Sequence, residues 1–318
     1  MRCWKKFGLF ILALTCVLDT SGRAEMSLKV YLLAGQSNMD GHAEVNGLPP
    51  ELSGVQTDVL AYHKGSWKYL RPGLSKTTKT FGPEVTFGRD MANARPLEHI
   101  GLIKYAVGNT NLVNDWAAPD GNGLGAGPEY VNFMNAVTNA LATLDPNYEP
   151  HIEGMLWMQG ESDASNLSWA QAYEQNLTEF IVSVRRDVNE PNMPFVIGQI
   201  SEASIWTYGA IVRQAQYNVS QTVPLTTMII TSDLPFNSDG YHYNAEGQMT
   251  LGYRFSGQFV PADFGFNGTV NEADFAVTGR HWYEGWCGAC EGADITSDCA
   301  VDINDFGVLA DHWLEHRL

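Results

Sequence analysis

Short runs of apolar residues alternate along this chain with longer stretches in which apolar residues recur every three or four positions. The short runs predict buried strands at about 28–34, 100–107, 152–158, 194–200 and 227–232. The longer stretches predict amphipathic helices at about 84–95, 129–144, 168–188, 207–221 and 244–259. This alternation favours right-handed β-α-β units, and hence an α/β fold with a parallel sheet and helices on both faces.

The pattern differs at the two ends of the chain. Arg2, Lys5 and Lys6 precede an apolar run from Phe7 to Leu18 and then small residues, an order typical of a secretory signal peptide. The apolar run is too short to span a bilayer. We therefore expect residues 1–24 to be a signal peptide and the protein to be secreted or extracellular, with association to a cell surface as a further expectation.

An internal repeat begins after Pro261. Phe275 and Trp282 of the first copy match Phe306 and Trp313 of the second, each pair separated by 31 residues. A repeat of this regularity indicates a separate structural unit. The expected organisation is therefore an α/β domain over residues 25–260 followed by a small module over residues 262–318.

Charge narrows the choice of partners. The 318-residue chain has a formal net charge of −17, and the predicted signal peptide contains four basic residues and one acidic residue, so the remainder is more acidic still. Such a protein repels nucleic acid and anionic membrane surfaces. A neutral substrate such as a polysaccharide fits better.

The cysteines outside the predicted leader are clustered. Cys287, Cys290 and Cys299 lie within thirteen residues, and the odd number leaves one thiol free or paired between chains. In an exported protein a local disulfide is favoured. A zinc site is the alternative, but no well-spaced fourth ligand accompanies the three sulfurs.

Polar motifs follow the predicted strands. They are Gly35-Gln36-Ser37-Asn38, Gly108-Asn109-Thr110-Asn111, Gln159-Gly160-Glu161-Ser162 and Ser238-Asp239. Ligands of parallel α/β sheets bind at the carboxyl ends of the strands. We therefore expect these four segments to converge on one edge of the sheet.

These segments contain the parts of a nucleophilic hydrolase. Ser37 ends a buried strand, and His242 is preceded at three residues by Asp239. A serine hydroxyl needs an imidazole to take its proton, and the imidazole needs an acceptor that orients it. Asp239 and Glu161 are both candidates for that acceptor, and the sequence leaves the choice open. For the oxyanion we expect the backbone N–H groups of Ser37 and Gly108 and the side-chain amide of Gln159.

Five blocks resemble those of a known superfamily. They are Gly35-Gln36-Ser37-Asn38-Met39, Phe81-Gly82-Pro83-Glu84, Gly108-Asn109-Thr110, Trp157-Met158-Gln159-Gly160-Glu161-Ser162-Asp163 and Asp239-Gly240-Tyr241-His242. Their order over about residues 28–258 resembles the SGNH hydrolases. More narrowly it resembles the sialate O-acetylesterase-like group and carbohydrate esterase family 6, which includes acetylxylan esterases.

The resemblance implies a three-layer, flavodoxin-like α/β/α fold and deacetylation of carbohydrate without a catalytic cofactor. It places Ser37 as nucleophile, His242 as base, Asp239 or Glu161 as its partner and Gly108 as an oxyanion donor. We expect Gln36 and Asn38, beside the nucleophile, to bind substrate. One departure is Asn109, where the group usually has a second glycine.

The C-terminal repeat places oxygen-bearing side chains at regular loop positions. They are Asp263, Asn267, Asn271 and Asp274 in the first copy and Asp294, Thr296, Asp298, Asp302 and Asp305 in the second. Hard oxygen ligands followed by a helix suit Ca²⁺. The module resembles a type I dockerin, which implies calcium binding and docking to a cohesin-like or cell-surface partner. Gly265 and Cys299 depart from the pattern.

The sequence thus predicts a secreted carbohydrate O-acetylesterase that acts on acetylxylan-like polysaccharide through an acyl-enzyme. The alternatives are a sialate O-acetylesterase and a non-catalytic carbohydrate-binding or scaffold subunit. His42 is interpreted as a surface or structural residue. Trp67, Trp116 and Trp206 are given no role, although a sugar-stacking wall was one interpretation.

Overall fold

The computed structural model describes residues 26–95, 98–120, 125–259, 262, 270–284, 293, 295 and 300–313. The strands of this part of the chain are β1 Met26–Gly35, β2 Ala43–Glu44, β3 Gln56–His63, β4 Ser66–Leu70, β5 Thr80–Phe81, β6 His99–Ala106, β7 Tyr148–Met158, β8 Phe195–Gly198 and β9 Thr226–Ile229. The α-helices are α1 Ser37–Asp40, α2 Glu84–Ala94, α3 Pro128–Ala142, α4 Leu167–Asp187, α5 Gly209–Thr222, α6 Ala245–Gly257, α7 Glu272–Arg280 and α8 Ile303–Asp311.

Seven strands form one sheet in the order β4-β3-β6-β1-β7-β8-β9. All neighbours pair in parallel except β3 and β4, which are antiparallel. The short strands β2 and β5 form a separate antiparallel pair. The predicted α/β fold is confirmed, with a sheet that is mostly rather than entirely parallel.

The central strand β1 is buried on both faces. Leu32 packs into a core cluster with residues of α3, α4 and α5, whereas Leu33 packs into a second cluster with residues of α2 and α6. Successive side chains of a strand point to opposite faces, so a continuous apolar run is what such a strand requires. Helices therefore cover the sheet on both sides, in three layers.

The predicted elements agree with the structure to within a few residues, but one hairpin was missed. Strands β3 and β4 are joined by Lys64 and Gly65, whose φ angles are 48° and 83°. Two successive residues with positive φ are the mark of a tight hairpin turn, and Gly65 is its sequence signal. The first half of β3 is polar and β4 is mostly exposed at the sheet edge, so the apolar run of this hairpin is limited to residues 59–62.

The C-terminal repeat begins a helix at the same point in both copies. Asn271 caps α7 and Asp302 caps α8, and in each case the backbone N–H of the cap donates to the aspartate three residues later. Phe275 and Phe306 bring the two helices into contact, with ring centroids 5.9 Å apart.

Several predictions concern residues outside the described ranges. They are the leader over 1–24, the three cysteines, and Asp263, Asn267, Asp294, Thr296 and Asp298. Within the described ranges, no helix combines the length and the apolar character needed to cross a bilayer.

Candidate active site

A cleft of about 560 Å³ opens at the carboxyl ends of the central strands. Its walls come from the segments after β1, β6 and β7 and from the loop between β9 and α6. The lining residues are Gln36, Ser37, Asp40, His42, Lys76, Gly108, Asn109, Asn111, Ser162, Ser165, Trp169, Trp206, Tyr241 and His242. The four segments expected to converge therefore reach one cleft.

Ser37 is placed by a close approach of two strands. At Gly35 the φ angle is 147°, and a Cβ there would lie 2.1 Å from the carbonyl oxygen of Met158 on β7. Only glycine fits such a contact. The N–H of Gln36 donates to the same carbonyl at 2.9 Å, and the chain then turns into α1, whose first residue is Ser37.

The loop before α6 presents His242 to the cleft. Its Nδ1 lies 2.8 Å from Oδ2 of Asp239, while Oδ1 of Asp239 accepts the N–H groups of Tyr241 and His242 at 3.1 and 3.0 Å. An ionised carboxylate only accepts hydrogen bonds, so Nδ1 carries the ring proton and Nε2 is the basic nitrogen. Asp239 is the only hydrogen-bond partner of the ring in the described residues, and a contact to a nucleophile often tightens only with substrate bound.

The surroundings of Asp239 keep it ionised. Burial alone raises the pKa of this carboxyl, but the backbone N–H groups of His242 and Tyr241 and the His242 ring outweigh that effect. The pKa of Asp239 is therefore lowered from its ordinary value, and the carboxylate can hold the histidine at neutral pH.

Gly108 follows β6 and lies against the serine. A Cβ at Gly108 would be 3.5 Å from the Cβ of Ser37, so the two backbones run close together. The next residue, Asn109, has a φ angle of 63°. Asparagine is one of the few non-glycine residues that tolerates this left-handed conformation. The departure from glycine at this position therefore preserves the turn.

Glu161 lies beneath the cleft rather than in its wall. It is 1 % exposed, and its Oε1 accepts the side-chain amide of Asn38 at 2.9 Å. Burial raises the pKa of Glu161 to about 7. Of the two acids left open by the sequence, the structure places Asp239, and not Glu161, on the histidine.

Asn38 joins the serine segment to the histidine loop. Its Nδ2 also donates to the carbonyl of Tyr241 at 3.2 Å, and its Oδ1 accepts the N–H of Tyr243 at 3.1 Å. The residue is 1 % exposed and does not line the cleft. Asn38 therefore fixes the backbone of the residues before and after His242, and it is not placed to bind substrate.

Gln159 is also withdrawn from the cleft. The side chain is fully buried, and its Nε2 donates to the carbonyl of Thr110 at 2.9 Å and to Oδ2 of Asp163 at 2.7 Å. These partners occupy the amide that was expected to face the oxyanion, and we do not assign it that role. Gln36 does line the cleft, with its amide 3.1 Å from Oε2 of Glu161 when the nitrogen faces that oxygen.

An ion pair supports the other side of α1. Lys104 of β6 donates to Oε2 of Glu84 at 2.6 Å and to the carbonyl of Asp40 at 2.7 Å. Both charged side chains are almost completely buried, so removal of either one would leave an unpaired buried charge. The pair joins the start of α2 to the end of α1, which gives Glu84 a structural role near the cleft.

Aromatic side chains form part of the cleft wall. Trp206 and Tyr241 meet edge to face with ring centroids 5.8 Å apart, and Trp169 lines the same cleft near the start of α4. Trp116 belongs to the core, and Trp67 packs beside it and donates to the carbonyl of Ala140. Sequence reasoning assigned no role to Trp169, His42 or Tyr241; no local motif marks Trp169 or His42, whereas Tyr241 lies within the block that contains His242.

Comparison with known proteins identifies the family. The family model described as "SASA: Carbohydrate esterase, sialic acid-specific acetylesterase" matches residues 27–261. The chain belongs to this family. It is therefore a carbohydrate esterase of the SASA family, with an esterase domain that spans the described sheet and its cleft.

Relatives agree with this assignment. The probable carbohydrate esterase At4g34215 of Arabidopsis thaliana is 26 % identical over 243 residues, which cover 70 % of this chain and 87 % of the relative. The X-ray structure of that plant protein has a TM-score of 0.60 at 24 % identity and covers 73 % of this chain and 96 % of its own.

Two further structures share the fold at lower identity. The carbohydrate acetylesterase XAC1771 of Xanthomonas citri has a TM-score of 0.53 at 17 % identity, covering 72 % of this chain and 55 % of its own. The structure of NanS has a TM-score of 0.54 at 14 % identity, covering 76 % and 98 %. The mostly parallel α/β sheet, together with the family match, fits the SGNH-like α/β fold that the five blocks predicted.

Proposed function

We propose that this SASA-family protein is a secreted carbohydrate O-acetylesterase that uses Ser37, His242 and Asp239 and removes acetyl groups from polysaccharide. One observation supports the mechanism above others: Ser37 and the Asp239-supported His242 line the same cleft although they lie far apart in the chain. Nucleophile, base and orienting acid are the parts that serine-dependent ester hydrolysis requires.

In the proposed reaction, the Ser37 hydroxyl attacks the acetyl carbonyl while Nε2 of His242 takes the hydroxyl proton. The negative charge on the carbonyl oxygen is stabilised by the N–H groups of Ser37 and Gly108, each worth roughly 3–4 kcal/mol in the transition state. His242 then donates its proton to the departing sugar oxygen. Water attacks the acetyl-serine, His242 takes the water proton and returns it to Ser37, and acetate leaves.

An aryl acetate assay tests the mechanism. Ser37→Ala is expected to lower kcat by about 10³-fold or more, because the remaining groups provide no nucleophile. Ser53→Ala, at an exposed serine outside the cleft, is the matched control and is expected to retain full activity. Equal turnover by wild type and Ser37→Ala would reject the mechanism, and an inactive wild type would favour a non-catalytic carbohydrate-binding subunit.

For the substrate, we propose an acetylxylan-like polysaccharide. The aromatic faces of Trp169, Trp206 and Tyr241 in an open cleft suit stacking on sugar rings, and an acidic chain favours a neutral polymer. Acetate release from a panel of acetylated polysaccharides and O-acetylated sialic acid tests this choice. Trp206→Ala is expected to raise the KM for the polymer more than the KM for an aryl acetate.

A sialate O-acetylesterase is the second candidate. The family description itself names sialic acid, and Lys76 in the cleft wall provides a cation that could meet the carboxylate of such a sugar. Preferential release of acetate from O-acetylated sialic acid would favour it. The narrower grouping with carbohydrate esterase family 6 rests on the block resemblance alone and requires acetylxylan activity.

For the C-terminal repeat we propose a dockerin-like module that binds Ca²⁺ and docks to a cohesin-like or cell-surface partner. The described members of the expected ligand set suit a hard cation, since Asn271, Asp274, Asp302 and Asp305 each have a side-chain oxygen and stand at equivalent helix starts. Calcium titration of the whole protein, followed by tryptophan fluorescence with and without chelator, tests the proposal. An unchanged signal together with an unchanged melting temperature would reject it.

A further inference from the structure

The imidazole ring of His42 lies flat against the ring of His242. Their centroids are 3.9 Å apart and their planes differ by 18°. The contact follows from the turn after α1, where Gly41 has a φ angle of 96° and passes so close to Gly82 that no Cβ fits. Asp239 therefore holds His242 at one edge of the ring, and His42 covers one face.

His42 is shielded from hydrogen-bonding partners. Its Nε2 is buried and has no partner among the described residues, and its backbone carbonyl accepts the side-chain amide of Asn237 at 3.4 Å. An imidazole whose nitrogen is buried without an acceptor is better kept neutral, because the charged form loses its hydration.

The charged groups around His42 act in the same direction. Burial, with smaller contributions from His242, Lys76 and Lys104, lowers the pKa of His42 to about 4, and Asp239 acts in the opposite direction. The His42 ring is therefore neutral at neutral pH. A neutral aromatic face is attractive to a cation, whereas two charged imidazoles at this distance would repel each other.

Resting on the mechanism proposed above, we propose that His42 is a positioning residue whose neutral ring is the platform on which His242 is held while it carries the serine proton. The stack limits rotation of His242 about its side-chain bonds, so Nδ1 stays on Asp239 and Nε2 stays directed at the cleft. It also stabilises the imidazolium that forms in the transition state.

Three substitutions at His42 test whether His242 needs an aromatic ring beside it or only a side chain of similar volume. His42→Phe keeps the aromatic face and is expected to retain kcat to within about threefold of wild type, because both rings offer a π-face to the cation. His42→Met fills a similar volume without a face and is expected to lower kcat by about 3- to 30-fold with little change in KM, which is the range of a cation–π contact.

His42→Lys puts a permanent positive charge beside His242. The base must be neutral in the free enzyme, and a neighbouring cation disfavours its protonated form, so the acid limb of the kcat/KM profile should move to lower pH by about one unit. The plateau should fall at the same time, because the imidazolium of the transition state is then opposed by the new charge. An acid limb that stays in place would show that position 42 does not adjoin His242 in solution.

The measurements use the whole protein with an aryl acetate, and His63→Phe and His63→Met as matched controls at a histidine outside the cleft whose pKa burial also lowers to about 4. Equal kcat for His42→Phe and His42→Met at equal melting temperature would overturn the platform. So would an acid limb that does not move in His42→Lys. These results leave the mechanism standing if Ser37→Ala is inactive, whereas an active Ser37→Ala rejects the mechanism itself.

Discussion

Two carboxyl groups at the same edge of the sheet behave in opposite ways. Asp239 is in a loop, with its side chain 36 % exposed, and backbone N–H groups together with His242 lower its pKa. Glu161 is buried under the cleft, and its pKa rises to about 7. The comparison shows how N–H donors and a histidine ring keep one carboxyl ionised, whereas burial favours the protonated form of the other.

The buried region also differs in its partners. Glu161 contacts Asn38, Gln159 contacts Asp163, and burial raises the pKa of Asp163 to about 6. These side chains join the segments after β1, β6 and β7 under the cleft. Four substitutions, taken from the largest expected effect to the smallest, test whether exposed residues of the cleft act in catalysis while the buried residues beneath it support the fold.

Asp239→Asn should have the largest effect, a fall in kcat of about 10³- to 10⁴-fold, because an amide can stabilise the wrong tautomer of His242. Steady-state kinetics on an aryl acetate measures it. Asp233→Asn is a matched control at an exposed aspartate paired with Arg254, and it should retain activity. A larger loss of kcat in Glu161→Gln than in Asp239→Asn would reverse the assignment of the orienting acid.

Asn38→Ala should affect both stability and activity. It leaves the carboxyl of Glu161 and the N–H of Tyr243 without their buried partner, which costs about 2–3 kcal/mol of unfolding free energy. A loosened His242 loop should lower kcat by about 10- to 100-fold. Urea unfolding and steady-state kinetics together test the role of the Asn38 contacts, with Asn132→Ala, at an exposed asparagine, as the control. If Asn38→Ala is destabilised but keeps the wild-type kcat, these contacts support only the fold.

Glu161→Gln should change how stability depends on pH. The folded protein holds a proton on Glu161 up to a pKa of about 7, above the ordinary value of 4.5, so it binds more protons than the unfolded chain between those values. The contribution of Glu161 to the free energy of unfolding is therefore fully present below pH 4.5 and is lost as pH rises towards 7. This contribution is about 3 kcal/mol at most.

The variant should flatten that slope, leaving the smaller loss from Asp163 between about pH 4 and 6. The pH dependence of stability is measured from the melting temperatures of wild type and Glu161→Gln across pH 4.5–8. Identical slopes in the two proteins would show that Glu161 does not titrate in this range.

The smallest effect concerns the turn at Asn109. Asn109→Ala should cost about 1 kcal/mol of unfolding free energy, because alanine is strained at positive φ, while Asn109→Gly should be nearly neutral. Asn189, with a φ angle of 60°, gives a matched pair of substitutions outside the cleft. Equal stability of the alanine and glycine variants at both positions would contradict the explanation.

Much of the fold is predictable from local pattern. The apolar run of β1 and the periodic stretches of α2 to α6 are encoded by neighbouring residues, so their bounds agree closely with the structure. The hairpin of β3 and β4 was not predicted, because its apolar run is only four residues long and β4 is mostly exposed at the sheet edge. The same local patterns predicted that the carboxyl ends of strands carry Gly35, Ser37 and Gly108.

The sequence by itself determined the family of the esterase domain, the order of its elements and the candidates for nucleophile, base and acid. The tertiary structure decided between Asp239 and Glu161, withdrew Gln159 and Asn38 from the cleft wall, and stacked His42 on His242. The reason is physical. A strand or helix is specified by residues close in sequence, whereas burial, pKa and ring contacts depend on which distant segments fold against each other.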